Sequence, residues 1–224
     1  MYEKITELTS KIKRENPLVL NISNYVTMDF IANGLLSIGA SPVMSNAQQE
    51  ITDLMQHAKA VVINLGTLDD KFIALCRHTC VIANQFNKPI ILDPVGAGAS
   101  RYRTDICRSL LNDYDIAIIR GNASEVMALL DVTQKTKGVD STMQSNDAIA
   151  SAKTLSKQYN AAIIISGKVD VIVDQDLVEE FDRGSPLMPT ITGSGCLLTA
   201  VIGAFHAVEV DRFQAAKIGT LFYG

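Results

Sequence analysis

The clearest chemical signal in the sequence is a glycine-rich segment that runs directly into an apolar stretch. Residues 192–196 read TGSGC, and residues 197–202 read LLTAVI. Gly193 and Gly195 allow the backbone to approach a ligand closely, and the N–H groups of the first turn of a helix attract anions. The pattern therefore predicts a site for a phosphate group, or for the charge that develops while it is transferred. A tight turn needed only for packing would have the same Gly-x-Gly sequence.

Two acidic residues, Asp93 and Glu125, form a second candidate site. Each follows a strand-like apolar run, and carboxylates near nucleotide phosphates suit Mg²⁺, which prefers oxygen ligands and is often reached through its waters. Each residue also has a structural interpretation, because Asp93 could simply begin a turn before Pro94. Asn122 and Glu125 match a capping box at a helix start, which is locally the better interpretation. The two roles are compatible, since a cap would fix the Glu125 side chain.

Both candidates depend on an alternation of short apolar runs with amphipathic helical patterns. Continuous apolar runs predict strands buried on both faces, as in parallel sheets, and their alternation with helices predicts a layered α/β fold. Residues 169–174 closely follow the last run, which predicts a hairpin at one sheet edge. The predicted strands are 18–22, 60–65, 89–92, 115–119 and 161–165. The predicted helices are 28–38, 47–57, 71–87, 104–111, 123–130 and 148–159. The predicted loops are 132–146 and 179–190.

Polar residues follow each predicted strand, where ligands bind in open parallel sheets. We therefore expect these residues to converge on one rim of the sheet. They are Ser23, Asn24 and Thr27, then Gly66 and Thr67, then 93–98, 120–125 and 166–168.

The composition limits the possible functions. The chain has 224 residues, of which 47% are apolar and 20% charged, so residues 1–224 are predicted to form a single domain with an ample core. A net charge of −4 with scattered Lys and Arg disfavours nucleic acid as a partner. Apolar runs fall short of a membrane span, and no stretch resembles a secretion signal, so we expect a cytoplasmic protein. Cys76 and Cys80 are interpreted as structural helix cysteines rather than zinc ligands.

Several familiar nucleotide-binding motifs are missing from the sequence. It contains no Walker A loop, no complete dinucleotide fingerprint and no protein-kinase signature set. Its segments, taken in order, instead resemble the hydroxyethylthiazole kinases, the thiamine-salvage family of the ribokinase-like superfamily. The resemblance covers nearly the whole chain and implies a three-layer α/β/α sandwich with a mostly parallel central sheet. It rests on residues 21–27, 32–36, 39–44, 64–67, 92–99, 120–125, 137–140 and 192–196.

The resemblance implies phosphorylation of the hydroxyl of hydroxyethylthiazole, with ATP and Mg²⁺, by a homotrimer that has thiazole sites at its subunit interfaces. The implied thiazole contacts are Asn24, Val26, Met44, Gly66, Thr67 and Gly193. The implied ATP contacts are Arg120, Asn122 and Ser166, and the implied Mg²⁺ residues are Asp93 and Glu125. The implied catalytic loop is Gly193, Ser194, Gly195 and Cys196. Cys196 stands where most ribokinase-like kinases carry the Asp that serves as base, and we expect the helix start to lower its thiol pKa.

The sequence departs from the family pattern in three places. Leu20 and Ser185 stand where His is frequent, and the chain ends at Gly224, where members continue into C-terminal helices. Weaker stability and weaker ATP binding are the expected consequence of that short C-terminus.

Three alternative functions stay open. One is another small-alcohol kinase of the superfamily, for hydroxymethylpyrimidine or pyridoxine. A second is an ATP-dependent NAD(P)H-hydrate dehydratase, and the third is a ligand-binding protein without catalysis. Cys196 and the motif at 24–27 favour the thiazole, and Cys196 counts against the dehydratase, which normally carries Asp there.

Overall fold

A computed structural model describes residues 2–130 and 141–224 of the chain. The strands are β1 Leu18–Ile22, β2 Ser41–Met44, β3 Ala60–Asn64, β4 Ile90–Asp93, β5 Ile118–Asn122, β6 Ala162–Ser166, β7 Asp170–Asp174 and β8 Leu177–Phe181. The α-helices are α1 Tyr2–Glu15, α2 Met28–Ile38, α3 Ile51–His57, α4 Asp70–Gln85, α5 Arg101–Asp113, α6 Ala123–Leu129, α7 Ser141–Tyr159, α8 Ser194–His206 and α9 Arg212–Tyr223. Short 3₁₀ turns cover Gln48–Glu50 and Met188–Thr190.

The strands form one sheet in the order β2-β1-β3-β4-β5-β6-β7-β8. Strands β1 to β6 are parallel, and β7 and β8 are antiparallel to their neighbours. The predicted hairpin is confirmed, with Ile165 opposite Val171, but the edge of the sheet is β8 rather than β7. Two edge strands were missed because neither has the sequence of a buried strand. Strand β2 contains Pro42, which only an edge tolerates, and β8 reads LVEEF.

Helices cover both faces of the sheet and make two hydrophobic cores. Val61 and Ile63 of β3 face one core, and Ala60 and Val62 face the other, which explains why this strand is apolar throughout. The first core also contains Cys76 and Cys80 of α4, both fully buried, as expected for structural cysteines. Within the described ranges, no helix is long and apolar enough to cross a membrane.

The predicted boundaries needed correction at the strand ends. Strand β5 lies three residues further along than the predicted 115–119, because the backbone of Asp115 is hydrogen-bonded to the Asn84 side chain instead of a strand. Four predicted site residues lie within the last residues of their strands rather than after them. They are Asp93, Arg120, Asn122 and Ser166. Small shifts of one to three residues affect most of the other predicted elements.

Both predicted loops also need correction. Residues 132–140 of the first, with the 137–140 motif, lie outside the described residues, and residues 141–146 begin helix α7. The second loop, 179–190, overlaps strand β8, which is held by a 2.8 Å ion pair between Lys217 and Glu179 and by the packing of Phe181 on the second core.

Candidate active site

The parallel strands end along one edge of the sheet, here named the carboxyl rim, and the predicted site residues converge there. Because strands β3 and β4 are in register, Asn64 and Asp93 are directly adjacent at this rim. Strands β5 and β6 bring Arg120 and Ser166 to it in the same way. The amino end of helix α8 approaches from one face, since the Thr199 hydroxyl reaches the Asp93 carboxylate.

A chain of buried hydrogen bonds runs across this rim. The Asn64 Nδ2 donates to Asp93 Oδ2 at 3.0 Å, and the Thr199 hydroxyl donates to the same oxygen at 2.8 Å. On the other side, the Asn24 Nδ2 donates to Asn64 Oδ1 at 2.7 Å and lies 3.7 Å from the Cys196 sulfur. Three strands and helix α8 are thus held in one polar network.

Asp93 is the most perturbed acid of the site. Its side chain is 1% exposed, and Arg120 Nη1 lies 3.6 Å from its Oδ2. Burial raises the pKa of Asp93 to about 6, against the opposing charge of Arg120. Its second oxygen, Oδ1, is buried without a hydrogen-bond partner in the described residues. An unpaired carboxylate oxygen inside a protein is costly, which points to a ligand that completes it.

Arg120 lies over the start of helix α8. Its guanidinium bonds the Ser166 hydroxyl, while its Nε is buried and unpaired within the described part. A Cβ on Gly195 would lie 2.5 Å from Arg120 Nη1, so only glycine at 195 permits this approach. A cation beside the positive end of a helix is unfavourable unless an anion lies between them. The arrangement therefore suits an anion such as a phosphate.

The loop before α8 keeps its backbone available. Gly193 has a φ of 86°, and a Cβ there would lie 2.5 Å from a methyl carbon of Thr27. No side chain caps the helix start in the described residues. Ser194 is instead held in place, since its hydroxyl donates to Met188 O at 2.9 Å and its carbonyl accepts from the Tyr223 hydroxyl at 2.8 Å. The Gly-x-Gly segment therefore packs against Thr27 and also leaves the N–H groups at the start of helix α8 uncapped.

Cys196 contradicts one expectation. The pKa of its half-buried thiol is raised, chiefly by burial and then by the charge of Asp93. The side chains of Asn64 and Thr27 and the charge of Arg120 oppose this only in part. The expected lowering by the helix start is outweighed because the thiol lies among buried groups beside a carboxylate.

Glu125 and Asn122 form the capping box that the sequence suggested. Asn122 Oδ1 accepts from the Glu125 backbone N–H, and Glu125 Oε2 accepts from the Asn122 N–H, both at 2.9 Å. The other oxygen, Oε1, accepts from Gly96 N at 2.9 Å. Glu125 thus ties the loop after Asp93 to helix α6. Of the two predicted Mg²⁺ residues, only Asp93 has an uncommitted oxygen, and no cluster of three or more metal-binding side chains occurs in the described part.

The predicted thiazole residues are only partly brought together. Asn24 contacts Gly66, where a Cβ would lie 2.8 Å from the Asn24 side chain, and Thr67 accepts a 3.3 Å hydrogen bond from the backbone of Tyr25. Met44 is half-buried at the end of β2 and packs on the second core. Val26, in contrast, is 69% exposed, so this single chain leaves one side of the predicted pocket open.

Sequence reasoning missed the residues that hold the site together. Asn64 and Thr199 belong to the central network. Arg103 donates to the carbonyls of Leu65, Val95 and Gly66 at 2.8, 3.1 and 3.0 Å, joining the loops after β3 and β4. Asn64 could have been found as a polar residue that ends an apolar strand, but nothing local marks Arg103.

Comparison with known proteins decides the family. The model of the hydroxyethylthiazole kinase family matches residues 9–224. The hydroxyethylthiazole kinase of Chlamydia abortus is 43% identical over 225 residues, covering 100% of this chain and 85% of that protein. The solved structure of a hydroxyethylthiazole kinase protein from Pyrococcus horikoshii has a TM-score of 0.87 at 34% identity, covering 97% of this chain and 81% of that one. The chain belongs to the hydroxyethylthiazole kinase family.

For a hydroxyethylthiazole kinase, the fold is the expected one. A ribokinase-like superfamily protein from Enterococcus faecalis has a TM-score of 0.62 at 13% identity, covering 92% of this chain and 77% of that one, which shows the shared fold alone. The predicted family and the predicted three-layer α/β/α sandwich are both confirmed. Family membership makes the chain a kinase, and no comparison favours a pyrimidine kinase, a pyridoxine kinase or a hydrate dehydratase over it.

Proposed function

We propose that the chain phosphorylates the hydroxyl of hydroxyethylthiazole with ATP, as a step of thiamine salvage. One observation carries this proposal beyond the family name. A buried cation, Arg120, faces the uncapped start of helix α8 through Gly195, with an unpaired oxygen of Asp93 beside them. That arrangement provides positive charge for a transferred phosphate next to a thiol, Cys196, where the acceptor hydroxyl would lie.

Arg120 and the start of helix α8 bind the ATP phosphates. A planar guanidinium offers a fixed fork of donors to phosphate oxygens, and backbone N–H groups at a helix start are already oriented toward an anion. Ser166 holds the guanidinium from the other side. Because phosphoryl transfer passes through a loose transition state, this fixed positive charge contributes more than a strong base does. Asn122 supports the site chiefly through its cap on α6.

Mg²⁺ fits Asp93 better than it fits Glu125. The unpaired Oδ1 of Asp93 is a hard oxygen donor of the kind that Mg²⁺ or one of its waters accepts. Glu125, with both oxygens on backbone N–H groups, acts by fixing the loop at Gly96. When bound, the ion would neutralise charge on the phosphates. Asp93 provides its negative charge only above its pKa of about 6.

Cys196 positions the acceptor hydroxyl. Because its pKa is raised, the thiol is neutral near pH 7. It can therefore hydrogen-bond to the acceptor alcohol while the alcohol keeps its proton. Asn24, Gly66, Thr67, Met44 and Gly193 line the thiazole side of the same space.

The homotrimer remains part of the proposal. Val26 is 69% exposed, Tyr25 is 55% exposed and Ile191, two residues before Gly193, is 50% exposed. These apolar side chains border the predicted thiazole pocket, where a neighbouring subunit would cover them. Size-exclusion chromatography with light scattering tests this, since a monomer at working concentration would contradict it.

The deciding experiment is a turnover assay. Purified protein is given Mg-ATP alone and then with hydroxyethylthiazole, hydroxymethylpyrimidine or pyridoxal, and ADP release is measured, with Asp93→Asn as the inactive control. Release that depends on the thiazole supports the proposal. Release with another alcohol only would overturn the substrate, and binding without release would favour the non-catalytic alternative. Run at neutral pH, the same assay also tests whether residues 1–224 are sufficient for kinase activity as a single domain.

A further inference from the structure

Asn64 lies at the buried centre of the site, between Asp93 and Asn24. Its side chain is 0% exposed at the last position of β3, directly beside Asp93 in the sheet. The amide makes three hydrogen bonds. It donates to Asp93 Oδ2 at 3.0 Å and accepts from Asn24 Nδ2 at 2.7 Å and from Gly66 N at 3.1 Å.

The orientation of this amide is determined by its partners. The backbone N–H of Gly66 can only donate, so the Asn64 oxygen must face it and the Asn64 nitrogen must face Asp93. A flipped amide would place two donors together and turn an oxygen toward a carboxylate. No other uncharged side chain of this size supplies a donor and an acceptor in these two directions.

Two consequences follow on opposite sides of Asn64. Toward the phosphate side, Asn64 and Thr199 both occupy Oδ2 of Asp93, which leaves Oδ1 as the oxygen available to a ligand. Toward the thiazole side, Asn64 fixes the Asn24 amide, whose nitrogen also lies 3.7 Å from the Cys196 sulfur. One buried amide therefore sets the position of a group on each side of the transfer.

We propose that Asn64 is a positioning residue for phosphate transfer, which couples the free oxygen of Asp93 to the Asn24–Cys196 side of the site. The proposal rests on the proposed function of this site. Asn64 itself need not touch either substrate, because it acts through Asp93 and Asn24.

The test uses Asn64→Leu, which keeps a similar volume and removes both the donor and the acceptor. Without the donor to Oδ2, the Asp93 carboxylate is free to turn and its Oδ1 is no longer held toward a ligand, so the Mg²⁺ profile of kcat moves to higher Mg²⁺ concentration. We expect the Mg²⁺ concentration at half-maximal kcat to rise by about tenfold, as is usual when a group that orients a metal ligand is lost. The charged or titratable groups that face Asp93 and Cys196 are Arg120, Glu125, Cys107 and Tyr223, and none is altered.

A second readout follows Cys196 without any turnover. The other cysteines, Cys76, Cys80 and Cys107, are fully buried, so alkylation of the folded protein by iodoacetamide reports on Cys196. Asn64 holds the Asn24 amide, whose nitrogen lies 3.7 Å from the Cys196 sulfur, and a donor to the sulfur favours the thiolate. Asn64→Leu should therefore move the pH midpoint of alkylation upward and slow alkylation at pH 8 by about threefold to tenfold.

Two controls separate positioning from a general structural effect. Thr199→Val removes the other donor to Asp93 and should move the Mg²⁺ profile of kcat without moving the alkylation midpoint. Asn84→Leu removes two backbone hydrogen bonds at the far end of the sheet and should lower the melting temperature without moving either profile. Asn64→Ala serves if Asn64→Leu does not fold.

A folded Asn64 variant with an unchanged Mg²⁺ profile and unchanged alkylation would overturn the proposal. A shift of one profile alone would overturn the coupling. If the wild-type protein does not turn over hydroxyethylthiazole, the proposed function fails, while the alkylation result still tests whether Asn64 controls the Cys196 environment.

Discussion

The two ends of the sheet differ in whether their buried polar groups have hydrogen-bond partners. At the carboxyl rim, Asp93 Oδ1, Arg120 Nε, Ser23 Oγ and Thr27 Oγ1 are buried without partners, four of the seven such atoms in the described residues. Native proteins pair most buried polar groups, and exceptions collect at functional sites. The carboxyl rim is thus an incomplete structure that a ligand would complete.

At the opposite end, here named the amino rim because the parallel strands begin there, polar groups are satisfied. Asn84 makes two 3.0 Å hydrogen bonds to the backbone of Asp115, and Arg212 pairs with Asp174 at 2.8 Å while also bonding Asn160. A groove of about 620 Å³ lies at this rim. Cavity volume alone would therefore select the wrong end, whereas unpaired buried atoms select the end with the kinase residues.

Asp93→Asn should show the largest difference between the rims. It removes the negative charge beside Arg120 and the oxygen proposed for Mg²⁺, so we expect kcat to fall by about a thousandfold. Asp115→Asn at the amino rim should leave kcat within about twofold. Steady-state ADP release measures both, and comparable activity of Asp93→Asn and wild type would remove Asp93 from the site.

Asp93→Asn should also make the folded protein more stable at high pH. The folded pKa of Asp93, about 6, lies above its ordinary value of 3.8, so this group destabilises the fold as pH rises through that window. At pH 8, Asp93→Asn should therefore have a free energy of unfolding on the order of 1–3 kcal/mol higher than wild type, and so a higher melting temperature, with little gain at pH 4. A lower melting temperature at pH 8 would contradict this sign.

Arg120→Ala comes next in size. Removing the cation that faces helix α8 should lower kcat/KM for ATP by about a hundredfold. Arg212→Ala, which breaks the ion pair with Asp174 at the amino rim, should lower the melting temperature while retaining kcat/KM. Equal catalytic losses in the two variants would mean that the rims do not differ in function.

Sequence patterns predicted the sheet better than the connections within the site. Continuous apolar runs located the central strands because those strands are buried on both faces, but edge strands β2 and β8 lack that pattern. The motif residues Asp93, Arg120 and Gly195 do converge. Arg103 and the raised pKa of Cys196 could not be predicted, because both result from distant segments that meet only in the fold.

Gly195→Ala tests the approach of Arg120 to helix α8 without changing any charge. The added Cβ would lie 2.5 Å from the guanidinium, which must move away, so we expect kcat to fall by about tenfold to a hundredfold. Gly167→Ala is the matched control, because its Cβ would meet nothing closer than 3.6 Å and should change kcat by less than about twofold. A silent Gly195→Ala would show that Arg120 need not lie over the helix.

Cys196→Ser should have the smallest effect on the carboxyl rim. A hydroxyl keeps the ability to hydrogen-bond the acceptor alcohol, and a loose transition state needs little help from a base, so we expect kcat to fall by about tenfold or less. Cys196→Asp should keep or raise activity, since a carboxylate there also accepts a proton. The pH profile decides between positioning and base catalysis. If the thiol acted as a base, its raised pKa would impose a limb on wild-type kcat that disappears in Cys196→Ser. Complete loss of activity in a folded Cys196→Asp protein would show that the thiol does more than position the hydroxyl.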